Sequence, residues 1–259
     1  MEIIQTFLVA TIAVIVFMTI AWFVSLIVVK LSIVDVAWGL GFIVVALATI
    51  FFNHSFEPRQ VLVTVFVCLW GFRLAFYIFV RNLNKPEDFR YQKMKESWGD
   101  EVALQSYLRV FLLQGVFMLI ITFAVQVVNS YASQPGLNLL DILGALIWFF
   151  GFIFETVADM QMYFFKKESK NKGKIMKYGL WKYTRHPNYF GESVQWWAIF
   201  IIALSAPLGI LSIVSPIVIT IMLLKVSGVP MLEAKYKGNK EYQSYIKNTS
   251  SFIPMPPKS

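Results

Sequence analysis

The sequence predicts an all-α, polytopic membrane protein of about seven transmembrane helices, N-terminus outside and C-terminus cytoplasmic. Three observations predict it. Of 259 residues, 58% are hydrophobic and 15% charged, with a mean hydropathy of +0.63, whereas a soluble domain is about half apolar and about a quarter charged. Apolar runs of about 20 residues, long enough to cross a bilayer core, recur along the chain. The basic residues are confined almost entirely to alternate loops.

The spans fall at 3–29, 33–52, 60–80, 107–130, 138–165, 190–206 and 208–226. The first, "MEIIQTFLVATIAVIVFMTIAWFVSLIVVK", lacks a basic n-region, and its apolar run is too long for a signal peptide, so it reads as a helix that stays. The second opens on "SIVDVAWGLGF", where Asp35 fits either a helix start or a pocket. The third carries Arg73 in "LWGFRLAFYIFVRN", readable as an inter-helix clamp to Asp35 or Glu155. A polar loop, 81–106, leads to the fourth. The fifth has Asp141 in its first turn, where an acid offsets the helix dipole. The turn "SAPLG" joins the last two.

The charges set the orientation. The loops "NHSFEPRQ", "NSYASQPGLN" and "SAPLG" share a side with the N-terminus, and that side holds only Arg59. Arg73 lies within the third span, and the other 21 of the 23 Lys and Arg lie on the opposite side, counting Arg109 and Lys225 at span ends. Basic loops stay in the cytoplasm. The net charge of +8 is therefore juxtamembrane, explained by topology and anionic lipid without nucleic acid. No internal repeat, low-complexity run or soluble domain interrupts the pattern, and 1–259 reads as one transmembrane domain. Cys68, alone in an apolar run, signals no disulfide. His54 and His186 have no cysteine cluster beside them, so no zinc site is implied.

Charged residues at membrane depth are costly and therefore informative. Glu155 and Asp159 in "GFIFETVADMQMYFF" are spaced i, i+4 and share one helix face. Like charges there repel, so cationic or hydrogen-bonding partners should face them. Lys166 follows as the helix nears the cytoplasm, the pattern of a polar cavity wall that Arg81 and "EDFRY" could close. The loop "KKESKNKGKIMKYGLWKYTRHPNY" comes next, with Gly173 and Gly179 at tight turns. Pro187 suits a first helical turn, and Asn188, Tyr189 and Glu192 fall in the first turns of the sixth span. Arg185, His186 and Asn188 beside a helix N-terminus read as an anion site open to a phosphate-bearing cofactor.

"NKGKIMKYGLWKYTRHPNYFGESVQWW" resembles the C-terminal half of the steroid 5α-reductase superfamily, and most of all its bacterial branch of membrane proteins. "VDVAWGLGF", "LWGFRL…RN", "EDFRY" and "SGVPMLEAKY…YQSYIKNTSSFIPMPP" extend the resemblance over most of the chain, most strongly over 144–256. It implies a seven-helix NADPH-dependent reductase of the bacterial inner (cell) membrane, its cofactor between the later helices and the cytoplasmic loops. Carried over by position, Asp159, Lys166, Lys174, Asn188 and Glu192 match cofactor contacts. Lys166 and Lys174 stand where the animal enzymes have Arg, Glu155 where they have Asn, and Lys225 and Glu233 where they have Arg and Tyr. Asn171, Arg185, His186, Tyr189 and Lys225 complete the cofactor candidates, and Asp35 and Glu155 are the catalytic ones. The tyrosine that helps polarise the 3-keto group in the steroid enzymes falls at Trp70, with Asp35 as the candidate for its glutamate partner.

The expected activity is NADPH-dependent reduction of an activated C=C bond in a lipophilic, steroid-like or isoprenoid-like substrate reached through the membrane lipid. Two alternatives stand beside it. One is an S-adenosylmethionine-dependent methyltransferase of a lipid or isoprenylcysteine, permitted by "RHPNY" and the tail. The other is a transporter or structural membrane protein, although no inverted repeat is visible.

Overall fold

The structure, a computed structural model, describes residues 2–83, 85–131, 136–234 and 236–258. Among these the regular structure is helical, apart from an isolated parallel bridge between Thr184 and Ser250. The all-α expectation holds. Among the described residues six helical stretches are long and apolar enough to cross a membrane: Ile3–Val28, Ile33–Asn53, Pro58–Asn82, Phe89–Ile121, Leu139–Lys167 and Gly209–Ala234. The expected sixth span is a helix at Pro187–Ala203, with 17 residues.

The helices are α1 (Glu2–Val28), α2 (Ile33–Asn53), α3 (Pro58–Asn82), α4 (Phe89–Trp98), α5 (Val102–Ser106), α6 (Leu113–Ile121), α7 (Phe123–Asn129), α8 (Leu139–Lys167), α9 (Pro187–Ala203), α10 (Val214–Ile221), α11 (Val229–Ala234) and α12 (Lys240–Asn248). They form two compact units. The first comprises Met1–Asp141 and Ile202–Ser215, and the second Ile142–Ile201 and Pro216–Ser259.

In the first unit α2 and α3 cross at Gly39 and Gly71, where a Cβ on either would lie 2.6 Å from the other's carbonyl oxygen. Small residues allow this approach because apolar lipid gives helices no hydrophobic reason to associate, leaving close packing and hydrogen bonds to hold them. Phe42 meets Trp70 edge-on at 5.1 Å in the resulting core. Polar bonds tie each of these helices to the end of α7: Asn129 Nδ2 donates to Thr49 Oγ1 of α2 at 2.9 Å, and Gln60 Nε2 of α3 to the Tyr131 carbonyl at 3.0 Å. Arg59 lies in the first turn of α3, fully buried, and grips Asp141 with Nε at 2.7 Å and Nη2 at 2.8 Å. Asp141 thus does more than offset a dipole.

The expected 81–106 loop needs correction, because much of it is helix. The Asp88 carboxylate accepts from the Arg90 amide at 3.0 Å and caps α4. Chain turns continue through a π-turn at Tyr107–Leu112 to Ile121, and Thr122 separates α6 from α7. Low hydropathy conceals α4, since its "FRYQKMKESW" is polar.

The second unit is organised by α8 and α9. A Cβ on Gly191 would lie 2.7 Å from both Glu155 N and Gly151 O. Phe154 meets Phe190 beside this crossing, and Ser193 Oγ lies 2.7 Å from Thr220 Oγ1. The segment after α10 is a π-turn, Met222–Val226, followed by α11 and α12.

Candidate functional site

All but one of the expected site residues, Asp35, fall in the second unit. Glu155, Asp159 and Glu192 are buried there at 1%, 4% and 6% exposure. The Glu155 carboxylate accepts from Gln195 Nε2 at 2.7 Å, and the same Gln195 nitrogen donates to the Gly191 carbonyl at 3.2 Å. This is the hydrogen-bonding partner that the acidic face of α8 requires. Gly151 and Glu155 on α8 oppose Gly191 and Gln195 on α9, so each helix offers a glycine for approach and, four residues on, a polar group for the bond. The paired G-x-x-x-E and G-x-x-x-Q spacings in the sequence signal Gln195, which a search for charges passes over.

Beyond α8 the chain turns back. Asn171 Nδ2 donates to the Phe165 carbonyl at 3.0 Å, satisfying part of the helix C-terminus. Gly173 follows at φ 80°. The turn encloses a cavity of about 290 Å³ lined by Lys166, Asn171, Lys172, Lys174 and Tyr236 among others, with no carboxylate among the described residues of its wall. Three of the expected cofactor residues meet here, and Lys172 and Tyr236 join them. Lys225 stands exposed on its π-turn and is not part of this wall.

The next turn is held against α8. Trp181 Nε1 donates to the Ala158 carbonyl at 3.1 Å, and the Leu180 amide donates to Gln161 Oε1 at 3.0 Å. Gly179 is required here: its φ is 59°, and a Cβ would lie 2.5 Å from the Gln161 amide group.

Arg185, expected to face an anion, is engaged within the chain. Its Nε donates to Glu233 Oε1 at 2.8 Å, and its Nη1 donates to the carbonyls of Thr249 at 2.5 Å and Ile246 at 3.2 Å. The Arg185 amide donates to the Ser250 carbonyl at 2.8 Å. The Tyr245 hydroxyl reaches the Trp181 carbonyl. The turn before α9 is thereby latched to the C-terminal segment. His186 Nε2 lies 3.1 Å from Glu233 Oε1, and its ring stacks on Tyr189 at 5.4 Å. Burial depresses the His186 pKa and outweighs the Glu233 carboxylate, which acts the other way. Asn188 sits in the first turn of α9, its Oδ1 buried.

Asp35 belongs to the first unit. It lies in the first turn of α2 and accepts from the Tyr91 hydroxyl at 2.6 Å, with Arg90 Nη2 3.7 Å away. The helix start is capped by another acid: the Glu87 carboxylate accepts from the amides of Leu31 at 2.9 Å and Ser32 at 3.0 Å, and from Lys95 Nζ at 2.8 Å. Tyr91, the last residue of "EDFRY", is the unforeseen partner of Asp35.

The units therefore offer two kinds of chemistry. The second has a basic cavity and a row of buried carboxyls, able to take a polyanion and to fix polar groups. The first has a hydroxyl bonded to a carboxyl, able to donate or relay a proton. Among the described residues no cluster of three or more His, Cys, Asp or Glu could hold a metal ion. No curated protein and no solved structure matches the chain. One family model does, that of the proteins of unknown function DUF1295, over residues 21–249. With nearly the whole length matched, the chain belongs to the DUF1295 family.

Proposed function

We propose that the protein is an NADPH-dependent membrane reductase, a member of the steroid 5α-reductase superfamily, that saturates an activated C=C bond in a lipophilic, steroid-like or isoprenoid-like substrate. The observation that carries this reading is the lysine-walled cavity after α8, with its three ammonium groups and no carboxylate. Such a wall suits phosphate. It repels the sulfonium of S-adenosylmethionine, which is itself cationic. The cavity volume, about 290 Å³, is near the lower end of ligand sites, enough for one phosphorylated end of a dinucleotide.

The residues fit such a cofactor. Lys166, Lys172 and Lys174 would neutralise its phosphates as point charges, without the two-pronged geometry of arginine. Asn171 would keep the loop folded around them. When bound, NADPH would supply the hydride that the β-carbon of an enone accepts. The chain's own part is positioning and electrostatics. Gln195 holds Glu155 in one orientation. Within the first unit, Asp35 accepts from the Tyr91 hydroxyl at 2.6 Å and orients it.

The same reading gives seven spans, with the N-terminus outside and the C-terminus in the bacterial cytoplasm. At 1.5 Å per residue the 17 residues of α9 extend about 25 Å, a few Å short of a hydrocarbon core of about 30 Å, a mismatch that local thinning absorbs. With α9 counted, the basic loops fall on one side. A reporter fused at each terminus tests this, and activity of both on the same side would remove the seventh span.

The decisive experiment is titration of the detergent-purified protein with NADPH, NADH and S-adenosylmethionine, followed by thermal stability. A ligand that binds only the folded state stabilises it by about 2.7 kcal/mol at a hundredfold excess over Kd. A shift with NADPH supports the reductase. A shift with S-adenosylmethionine alone replaces it with the methyltransferase, and no shift with any of them removes the enzyme reading.

A further inference from the structure

The turn that leads into α9 carries two buried acceptors that nothing among the described residues satisfies. His186 is 2% exposed. Its Nε2 faces Glu233 Oε1 at 3.1 Å. A carboxylate oxygen can only accept, so Nε2 carries the proton, and in the neutral ring Nδ1 is then a bare lone pair. Nδ1 is buried and has no hydrogen-bond partner. Two residues on, Asn188 Oδ1 is also buried without one. An unmet acceptor away from water costs free energy, so two of them within one turn call for an explanation.

The cation beside them is already in use. Arg185 gives Nε to Glu233 and Nη1 to two backbone carbonyls. With its charge neutralised and two lone pairs nearby, the turn disfavours a phosphate. The geometry points to the His186–Asn188 turn as a receptor for an uncharged pair of donors on the ligand, sugar hydroxyls or carboxamide N–H groups, with Glu233 as the positioning residue that fixes the His186 tautomer. The inference rests on the dinucleotide reading above and divides its ligand: phosphates to the lysine cavity, neutral donors to this turn.

The test compares Asn188→Asp with Asn188→Leu. Aspartate keeps an acceptor of the same shape and adds a negative charge, whereas leucine removes the acceptor. Wild type and both variants are titrated with NADPH, and with 2′-phospho-ADP-ribose, which has the hydroxyls but no carboxamide. The expected result is an Asn188→Asp affinity within about threefold of wild type and an Asn188→Leu loss of about tenfold. Equal loss for both ligands identifies the hydroxyls, and loss for NADPH alone identifies the carboxamide. If Asn188→Asp loses as much as Asn188→Leu while wild type binds NADPH, this inference falls and the reductase reading survives. If wild type does not bind NADPH, both fall.

Ligand-free melts of the two variants check that each is folded. The role of Glu233 has its own readout. The chain has two histidines, so ¹⁵N-histidine labelling, with His54→Gln for assignment, reports the His186 ring directly. We expect a proton on Nε2 in wild type and in Glu233→Gln, whose amide oxygen can still accept, and a mixture in Glu233→Leu. A proton on Nδ1 in wild type overturns the assignment.

Discussion

Replacing Gly191 by alanine tests how tightly the site depends on the α8–α9 crossing. The added Cβ would lie 2.7 Å from Glu155 N and from Gly151 O, and 2.8 Å from Glu155 Cβ. Two of these three are backbone atoms, which no side-chain rotation can move aside. Relief to an ordinary contact of 3.4 Å requires the helices to part by about 0.7 Å. The Gln195–Glu155 bond, now 2.7 Å, would stretch to about 3.4 Å, beyond the usual hydrogen-bond range. Overpacking costs about 1–3 kcal/mol, and a lost interhelical bond in a membrane bundle about 0.6–1.7 kcal/mol. The expected loss is about 2–5 kcal/mol, a large share of a typical stability of about 5–15 kcal/mol. Equilibrium unfolding in mixed detergent micelles measures it. Gly151→Ala opens the same crossing, so the double variant should lose clearly less than the sum of the singles. A Gly191→Ala protein within about 0.5 kcal/mol of wild type, a change typical of a neutral surface site, would refute the crossing as the determinant of Glu155 position.

Three further outcomes follow from the structure. Asp141→Ala strands the buried Arg59 guanidinium and should cost about 3–5 kcal/mol, whereas Arg59→Met with Asp141→Leu should recover much of that; strict additivity in the cycle would show the pair uncoupled. Lys166→Ala with Lys174→Ala should weaken NADPH more than NADH, by about 0.5–1 kcal/mol per exposed lysine at low salt and less at high salt; equal weakening would place the 2′-phosphate elsewhere. Burial raises the Glu87 pKa, but hydrogen bonds from Lys95, Ser32 and Leu31 outweigh it and hold the carboxyl below the ordinary glutamate range. Its contribution to stability is therefore present above an unfolded value of about 4.3 and lost as pH falls through the lower folded one. Melts across that window should steepen in wild type relative to Glu87→Gln, and identical profiles would contradict the cap.

The fold was legible wherever hydropathy carried it. The long spans of α1, α2, α3 and α8 stand near their expected positions because a run of apolar residues has few other places to go. The helix α4 was not, since its polar residues resemble a loop until the Asp88 cap is seen. The site was legible in the same uneven way. Lys166, Asn171 and Lys174 do line one cavity. The partners of the acidic candidates, however, are neutral and distant in sequence. Gln195 lies 40 residues from Glu155, and Tyr91 lies 56 from Asp35. A glutamine or a tyrosine in an apolar segment raises no alarm on a hydropathy scale. Arg185 shows the reverse: a cation beside a helix start invites an anion, but three carboxylate and carbonyl oxygens of its own chain reach it first.

The latch on that turn bears on how the protein is made. Arg185 is tied to a carbonyl 64 residues further along the chain, and its amide to Ser250. During synthesis, α8, α9 and the RHPN turn emerge well before these partners exist. The turn thus spends the last part of translation with a cation unpaired and its backbone unheld. It sets only when the tail arrives. Interrupted synthesis would therefore leave helices that have inserted normally beside a turn that is never latched, a defect invisible to any assay of membrane insertion.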